Sequence, residues 1–415
     1  MAAAEPAPHQ PWWSRPGLEV RGGRLTIAGR DAEALAREHG TPLYVQDLTR
    51  VSEQAEALRA ALEGAGLEPR VRLALKAQRD PAVLAHLRER TPFVGIDVCS
   101  PGEVAWALDH GWTAAELSYT GTNLSDRDMA AAVAAGVHLN LDLLTQLRRA
   151  GGHLGPGSRV GIRVNPRIGA SSGGGNETFY TGERPTKFGI FAERLDDAVA
   201  IARAHDLVID TVHFHVGDGY LTPELPVFEE TVRRVAAMTE RLQGLGCPIE
   251  EVNTGGGLGV PQREGDEHLD LERWATICAT HLGPLGVAVG TEPGDFLTKE
   301  ASVHLAEVVT VERRDGVRFV GLDTGWNVMG EHFVYGALLP VVLCRAVDAP
   351  ALDAVTISGH INEGNDLFAE DLPFPEVVEG DVLAALGVGS YNASMTSEHC
   401  LRPAPRSVSF SDRVG

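Results

Sequence analysis

Apolar residues recur along this chain in two alternating registers. Short apolar runs at 71–75, 93–98, 116–120, 138–142, 159–165, 208–216, 250–255 and 286–292 are separated by stretches with apolar positions three and four apart. Strand side chains repeat every second residue and helical ones about every 3.6, so the runs predict strands and the stretches amphipathic helices. Leu48, Val51, Ala55, Leu58 and Leu62 form one such helical face, and Asp47 stands where its cap belongs. Asp80-Pro81, Pro101 and Ser125 mark further helix starts. Strands that alternate with helices pair in parallel, and eight such units close a barrel. The rival arrangement is an open doubly wound sheet.

The pattern changes after Glu292. The segment VHLAEVVTVERRDGVRFVGLD alternates apolar and polar residues around an Arg-Asp-Gly turn, which predicts a hairpin. Further strand-like runs at 337–346, 354–358 and 376–389 predict a second domain built of β-strands. The organisation expected is therefore a flexible tail at 1–17, a hairpin at 18–40 that joins the β domain, a (β/α)8 barrel at 41–298 and a C-terminal β domain at 299–415. The glycine-rich connection from Asn165 to Ile190 is too long for a plain linker, and reads as an active-site lid or a disordered tip.

Composition narrows the class without naming a function. Of 415 residues 22% are charged and 43% hydrophobic, as in ordinary globular proteins. A net charge of −21 repels phosphates, so no nucleic-acid or anionic-membrane partner is expected. No apolar run reaches membrane-spanning length and the first residues lack a secretory pattern, which predicts a cytoplasmic protein. Five cysteines stand at scattered positions without metal-ligand spacing, so neither disulfides nor a metal site is expected.

The predicted strand ends carry unusual residues. Lys76, Asp97, Asn165, His215, the run Gly255-Gly256-Gly257 and Glu292 all fall at one rim, the C-terminal rim where barrels of this kind gather their chemistry. Each has a plain alternative. A strand-ending lysine can be a solvated cap, His213 or His215 a core histidine, and three glycines only a tight turn. The same glycines also expose backbone N–H groups that can wrap a phosphate. A lysine amine, a phosphate cradle and a carboxylate together suit pyridoxal 5'-phosphate, and Glu292 suits the partner of its ring nitrogen.

The motifs themselves resemble a known family. LALKAQ at Lys76, GIDVCSPGE at Asp97, VNP at Asn165, KFGI at Lys187, HFHVG at His215, GGGLG at Gly255 and EPG at Glu292 are similar to those of the fold-type III pyridoxal-phosphate decarboxylases. Diaminopimelate decarboxylase is the nearest in pattern, and ornithine decarboxylase is similar. The motifs run in order from about Leu43 to Pro403. The resemblance implies an alanine-racemase-like barrel with a C-terminal β domain, and a homodimer with shared active sites acting on an amino acid. It implies Lys76 as the Schiff-base lysine, His215 against the ring, Gly255, Gly256, Gly257 and Gly294 at the phosphate, and Glu292 at the ring nitrogen. Asp97 would order the lysine and Tyr391 would touch the cofactor. HINEGND at 360–366 matches the segment that one subunit inserts into its neighbour's site, with Glu363 and Asp366 near the substrate.

Departures from the pattern bear on the substrate. The family's EPGR reads EPGD, so Asp295 stands where an arginine is usual; Glu331 stands at the second arginine, while Tyr335 is retained. Those arginines hold a distal carboxylate, which two acids would repel. A cationic or specialised-pathway amino acid is expected instead. Asp218 replaces a serine near the phosphate. Asn362 replaces the cysteine that protonates the carbanion, and an amide is no general acid. His360, Tyr391, Lys76 or water must then deliver that proton. Otherwise the outcome is racemisation or oxidative deamination, or the chain is a non-catalytic regulator.

Overall fold

The computed structural model describes residues 11–171, 185–215 and 217–414. The chain enters through β1 (Leu18–Arg21), β2 (Arg24–Ile27) and β3 (Arg30–Asp31), a small antiparallel sheet, followed by α1 (Ala32–His39). The segment expected to be a loose tail is ordered from Pro11 onward. Trp13 is only 8% exposed, because its indole joins Leu18, Leu25, Ile27 and Leu35 in a core shared with Val303 and Leu305 of the second domain. β4 (Leu43–Asp47) follows and leads into α2 (Leu48–Gly64).

The eight apolar runs are strands, and they close on themselves. In chain order come β5 (Pro69–Ala74), α3 (Pro81–Arg90), β6 (Gly95–Val98), α4 (Pro101–Asp109), β7 (Leu117–Gly121), α5 (Asp126–Ala135), β8 (His138–Leu141), α6 (Leu144–Ala150) and β9 (Arg159–Asn165). Short β10 (Ala170–Ser171) and β11 (Ile190–Phe191) flank the long connection, most of which lies outside the described residues. Then come α7 (Leu195–Ala204), β12 (Val208–His213), β13 (Gly217–Asp218), α8 (Leu225–Gly244), β14 (Glu251–Asn253), α9 (Leu271–Leu282) and β15 (Ala288–Thr291). β5 to β9, β12, β14 and β15 are all parallel, and pairings β15–β5 and β8–β9 seal the ring. This is the expected barrel rather than the open sheet. Its helices start where the caps were read: Asp47, Asp80, Ser100 and Ser125 each accept a hydrogen bond from a first-turn N–H.

Past α10 (Asp295–Thr298) the chain becomes a β domain. β16 (Ser302–Arg314) and β17 (Val317–Leu322) form the expected hairpin, whose turn residues Asp315 and Gly316 both have positive φ. α11 (Gly330–Tyr335), β18 (Val341–Leu343), β19 (Asp353–Ser358), β20 (Leu367–Phe374), β21 (Val382–Leu386) and β22 (Arg406–Phe410) complete it. β4 lies in this sheet, between β16 and β22, although its sequence position falls within the range expected for the barrel. All five of its residues are buried, so it needs neighbours on both edges and both faces. The two domains are thus joined twice, through β4 and through α10.

The barrel floor holds one ion cluster. Glu251 is 3% exposed and accepts from Arg70 at 2.8 Å and from Arg72 at 2.5 and 3.0 Å. Burial alone would raise its pKa, but the two guanidiniums outweigh burial and hold it low. Replacing Glu251 by Leu removes the carboxylate that pairs directly with buried Arg72. The expected loss is about 3–5 kcal/mol of unfolding free energy, read by chemical denaturation.

Candidate active site

Lys76 follows the end of β5 and is exposed, its side chain entering a cavity of about 310 Å3 at the C-terminal rim. The turn beneath it is tied to the β domain, since Tyr391 N–H donates to the Ala77 carbonyl at 2.8 Å and Gln78 Nε2 to that of Gly389 at 2.8 Å. The same cavity is lined by Asp97, His215, Gly256, Gly257, Glu292 and Gly294 from the barrel. Asp295, Glu331, Tyr335 and Tyr391 face it from the junction with the β domain. Most residues singled out from the sequence therefore meet in one place.

Two buried carboxylates here are pushed in opposite directions. Glu292 accepts from His213 Nε2 at 2.9 Å, Asn253 Nδ2 at 2.5 Å and Ser118 Oγ at 3.4 Å, donors from β12, β14 and β7. Burial pushes its pKa up, but His213, Arg72 and Asn253 together overcome that and hold it below the usual carboxylate range. Asp97 has no such support. Its Oδ1 is buried without a donor, and burial, with Glu292 nearby, pushes its pKa well above the usual value. Glu292 is thus held as the anion, while the same depth favours the protonated form of Asp97.

His215 lies beyond the end of β12, and its Nδ1 accepts from Gly256 N–H at 3.1 Å. Burial, then the cations Arg163 and Lys76, push its pKa well below the ordinary value, so the ring is neutral and protonated on Nε2. The glycine turn is more engaged than three bare N–H groups: Gly255 N–H donates to Asn253 Oδ1 at 2.9 Å. The turn still demands glycine. A Cβ on Gly256 would stand 2.7 Å from the Glu292 carbonyl, and one on Gly294 would stand 2.5 Å from Ala77 Cβ and 3.1 Å from Tyr391 Oη.

Other expectations land elsewhere. Asn165 turns to the flank of the long connection, donating to Phe188 O at 2.8 Å and Thr186 Oγ1 at 3.1 Å. His360, Asn362, Glu363 and Asp366 do not line this cavity. Asn362 and Glu363 are exposed, and Glu363 pairs with His399 at 3.2 Å. Asp366, expected beside the substrate, is 2% exposed and accepts from the N–H groups of Trp326 and Ile361, each at 2.7 Å. It braces its own loop. The sequence reading missed Asn253 and Lys299, and it left His213 as an alternative core residue. The spacing of Lys299 four residues after Asp295 was the only signal for it.

The residues present fit pyridoxal phosphate: an amine in a cavity, a glycine floor that a methyl group would block, a neutral imidazole and a carboxylate kept ionised at depth. Residues 48–299 match the family described as pyridoxal-dependent decarboxylase, pyridoxal binding domain. The chain belongs to that family. It is an amino-acid carboxy-lyase, and pyridoxal phosphate is its cofactor. A diaminopimelate decarboxylase of Methanothermobacter thermautotrophicus is 34% identical over 403 residues, covering 95% of this chain and 92% of the relative. The solved diaminopimelate decarboxylase of Methanocaldococcus jannaschii, in co-complex with L-lysine, superposes with a TM-score of 0.85 at 26% identity, covering 95% and 92% of the two chains. That of Helicobacter pylori, complexed with L-lysine, gives 0.82 at 26% identity, covering 91% and 93%.

For this pyridoxal-dependent decarboxylase, the donors around Glu292 predict a spectroscopic effect. His213→Leu removes one donor, so Glu292 becomes more basic. The pH midpoint of the bound cofactor's visible absorbance should move by about one unit. His213→Gln keeps a donor and should move it less.

Proposed function

We propose that the chain decarboxylates an amino acid whose end remote from Cα carries a positive charge, rather than diaminopimelate itself. The observation that carries this reading is the wall shared by Asp295, Lys299 and Glu331, where two carboxylates flank one ammonium. The arginine on the cavity's lining, Arg263, is already paired with Asp266 at 3.0 Å. A distal carboxylate therefore meets a wall of its own sign, whereas a distal amine or guanidinium meets the opposite one.

The geometry supports a role for each residue. Lys76 Nζ is the amine that would hold the cofactor covalently, and Glu292, ionised, would hold the positive ring nitrogen. Gly256, Gly257 and Gly294 would admit the phosphate, and neutral His215 would support the ring without adding charge. When bound, pyridoxal phosphate supplies the electron sink for the pair left at Cα as CO2 departs. Lys76, freed by the incoming substrate amine, is within the cavity to return a proton at Cα. Asn362 cannot do so, and in its own subunit it lies outside the cavity. We propose that a second copy of the chain presents segment 360–366 to this site.

CO2 release across a panel of diamino, guanidino and dicarboxylic amino acids tests the reading, with cationic members expected to be turned over best. Equal or better turnover of diaminopimelate would sink it. Lys76→Ala should lose both CO2 release and the borohydride-reducible visible absorbance.

Binding should also depend on pH. Burial pushes Glu331 up to about 7, against the pull of Lys299. Asp295 and Lys299 face it from α10 and the turn after it, Asp218 lines the same cavity and acts on Lys299, Tyr335 and His332 share its helix, and Tyr391 and Tyr44 approach from the C-terminal loop and β4. Burial holds Tyr391 and Tyr44 above their usual range, so neither titrates near neutrality. As pH rises through about 7, Glu331 loses its proton and the wall gains negative charge. KM for a substrate with a cationic end should fall over that interval, while the affinity of a neutral analogue such as L-norleucine stays flat.

A further inference from the structure

Lys299 belongs to none of the motifs that point to the cofactor, yet it is among the most enclosed charges in the molecule. It is 3% exposed, forms a direct ion pair with Glu331, and lies 3.8 Å from Asp295 Oδ2. Asp295 opens α10 and Lys299 follows it by four residues, so the ammonium returns to the same side of the turn. Glu331 arrives from the start of α11.

Neither acid is free to swing away. Ser390 Oγ donates to Asp295 Oδ1 at 2.6 Å, and Asn392 Nδ2 donates to Glu331 Oε2 at 3.3 Å while its Oδ1 accepts from Glu331 N–H at 3.2 Å. The cluster is a fixed part of the wall of the cavity that Lys76 enters.

Above about pH 7, where Glu331 is ionised, one ammonium stands against the two carboxylates, and Asp218 acts on Lys299 as a further acid. An unbalanced charge away from water is costly, and a cation that arrives with the ligand removes that cost. A neutral ligand end leaves a carboxylate unbalanced, and a second positive charge meets the Lys299 ammonium. We infer that Lys299 is a specificity-determining residue, setting the charge of this wall so that it accepts one positive charge at the substrate's distal end. This rests on the reading of the site as a pocket for an amino acid with a cationic end.

The test uses the holoenzyme at a pH above 7, where Glu331 is ionised, and three probes: L-norleucine, L-lysine and Nε-(3-aminopropyl)-L-lysine, whose distal ends carry no, one and two positive charges. Affinities come from perturbation of the cofactor's visible absorbance or from competition. Wild type should bind lysine about tenfold more tightly than norleucine. Lys299→Met removes a positive charge, and the ratio of doubly to singly charged probe should shift about tenfold toward the former. Lys299→Met combined with Glu331→Gln removes one charge of each sign and should restore the preference for lysine, which a loss of shape alone would not do.

The two readings fail differently. Wild type that prefers norleucine to lysine overturns the cationic-substrate reading. Wild type that prefers lysine, with a probe ratio unmoved by Lys299→Met or unrestored in the double variant, overturns the role of Lys299. Loss of pyridoxal phosphate from Lys299→Met, not recovered in the double variant, assigns the ammonium to the cofactor's phosphate and overturns it as well.

Discussion

A carboxylate 6% exposed to solvent stays ionised at the rim of this barrel because three other strands aim donors at it. Everything the site does with charge depends on that arrangement. Desolvation disfavours the anion by an amount that only several hydrogen bonds can offset. Ser118, His213 and Asn253 reach Glu292 from β7, β12 and β14, strands that converge only when the barrel closes. Asp97, two strands over and without a donor on Oδ1, shows what the same depth does to a carboxylate left unsupported.

The second half of the site is built at the junction between the domains. α10 and the turn after it carry Asp295 and Lys299 out of the barrel, α11 brings Glu331, and the loop after β21 brings Tyr391 and Asn392. The Tyr391 N–H bond to Ala77 fixes that loop against the turn that bears Lys76. With β4 stitched into the distant sheet, the junction is held at two points. A wall assembled from separate pieces can change the sign of its charge while the cofactor-binding rim stays as it is. Here a glycine turn, Lys76 and Glu292 that fit the cofactor stand beside a wall that carries Asp295, Lys299 and Glu331.

Much of the fold was legible because local chemistry and global structure agree. The eight barrel strands were marked by apolar runs, the helix starts by Asp and Ser caps, and the hairpin by Asp315-Gly316. β20, with its acidic centre, and β22, with alternating serines, carry no strong apolar signal and were missed. β4 was missed for a different reason. Its apolar run precedes a helix like any barrel strand, and nothing local says that its partners are β16 and β22.

The sequence by itself determined the alternation of elements and marked Lys76, Glu292, Asp295 and Glu331 as candidate site residues. Those depend on residue type and spacing, which the chain carries explicitly. Only the tertiary structure decided that Asp366 braces a backbone turn, that His213 serves Glu292, and that a buried lysine stands between Asp295 and Glu331. Net charge at a site is a sum over whatever folding brings within a few ångströms, and Lys299 meets Glu331 across 32 positions of chain. The two acids can be read from the chain; the lysine between them is seen only in the fold.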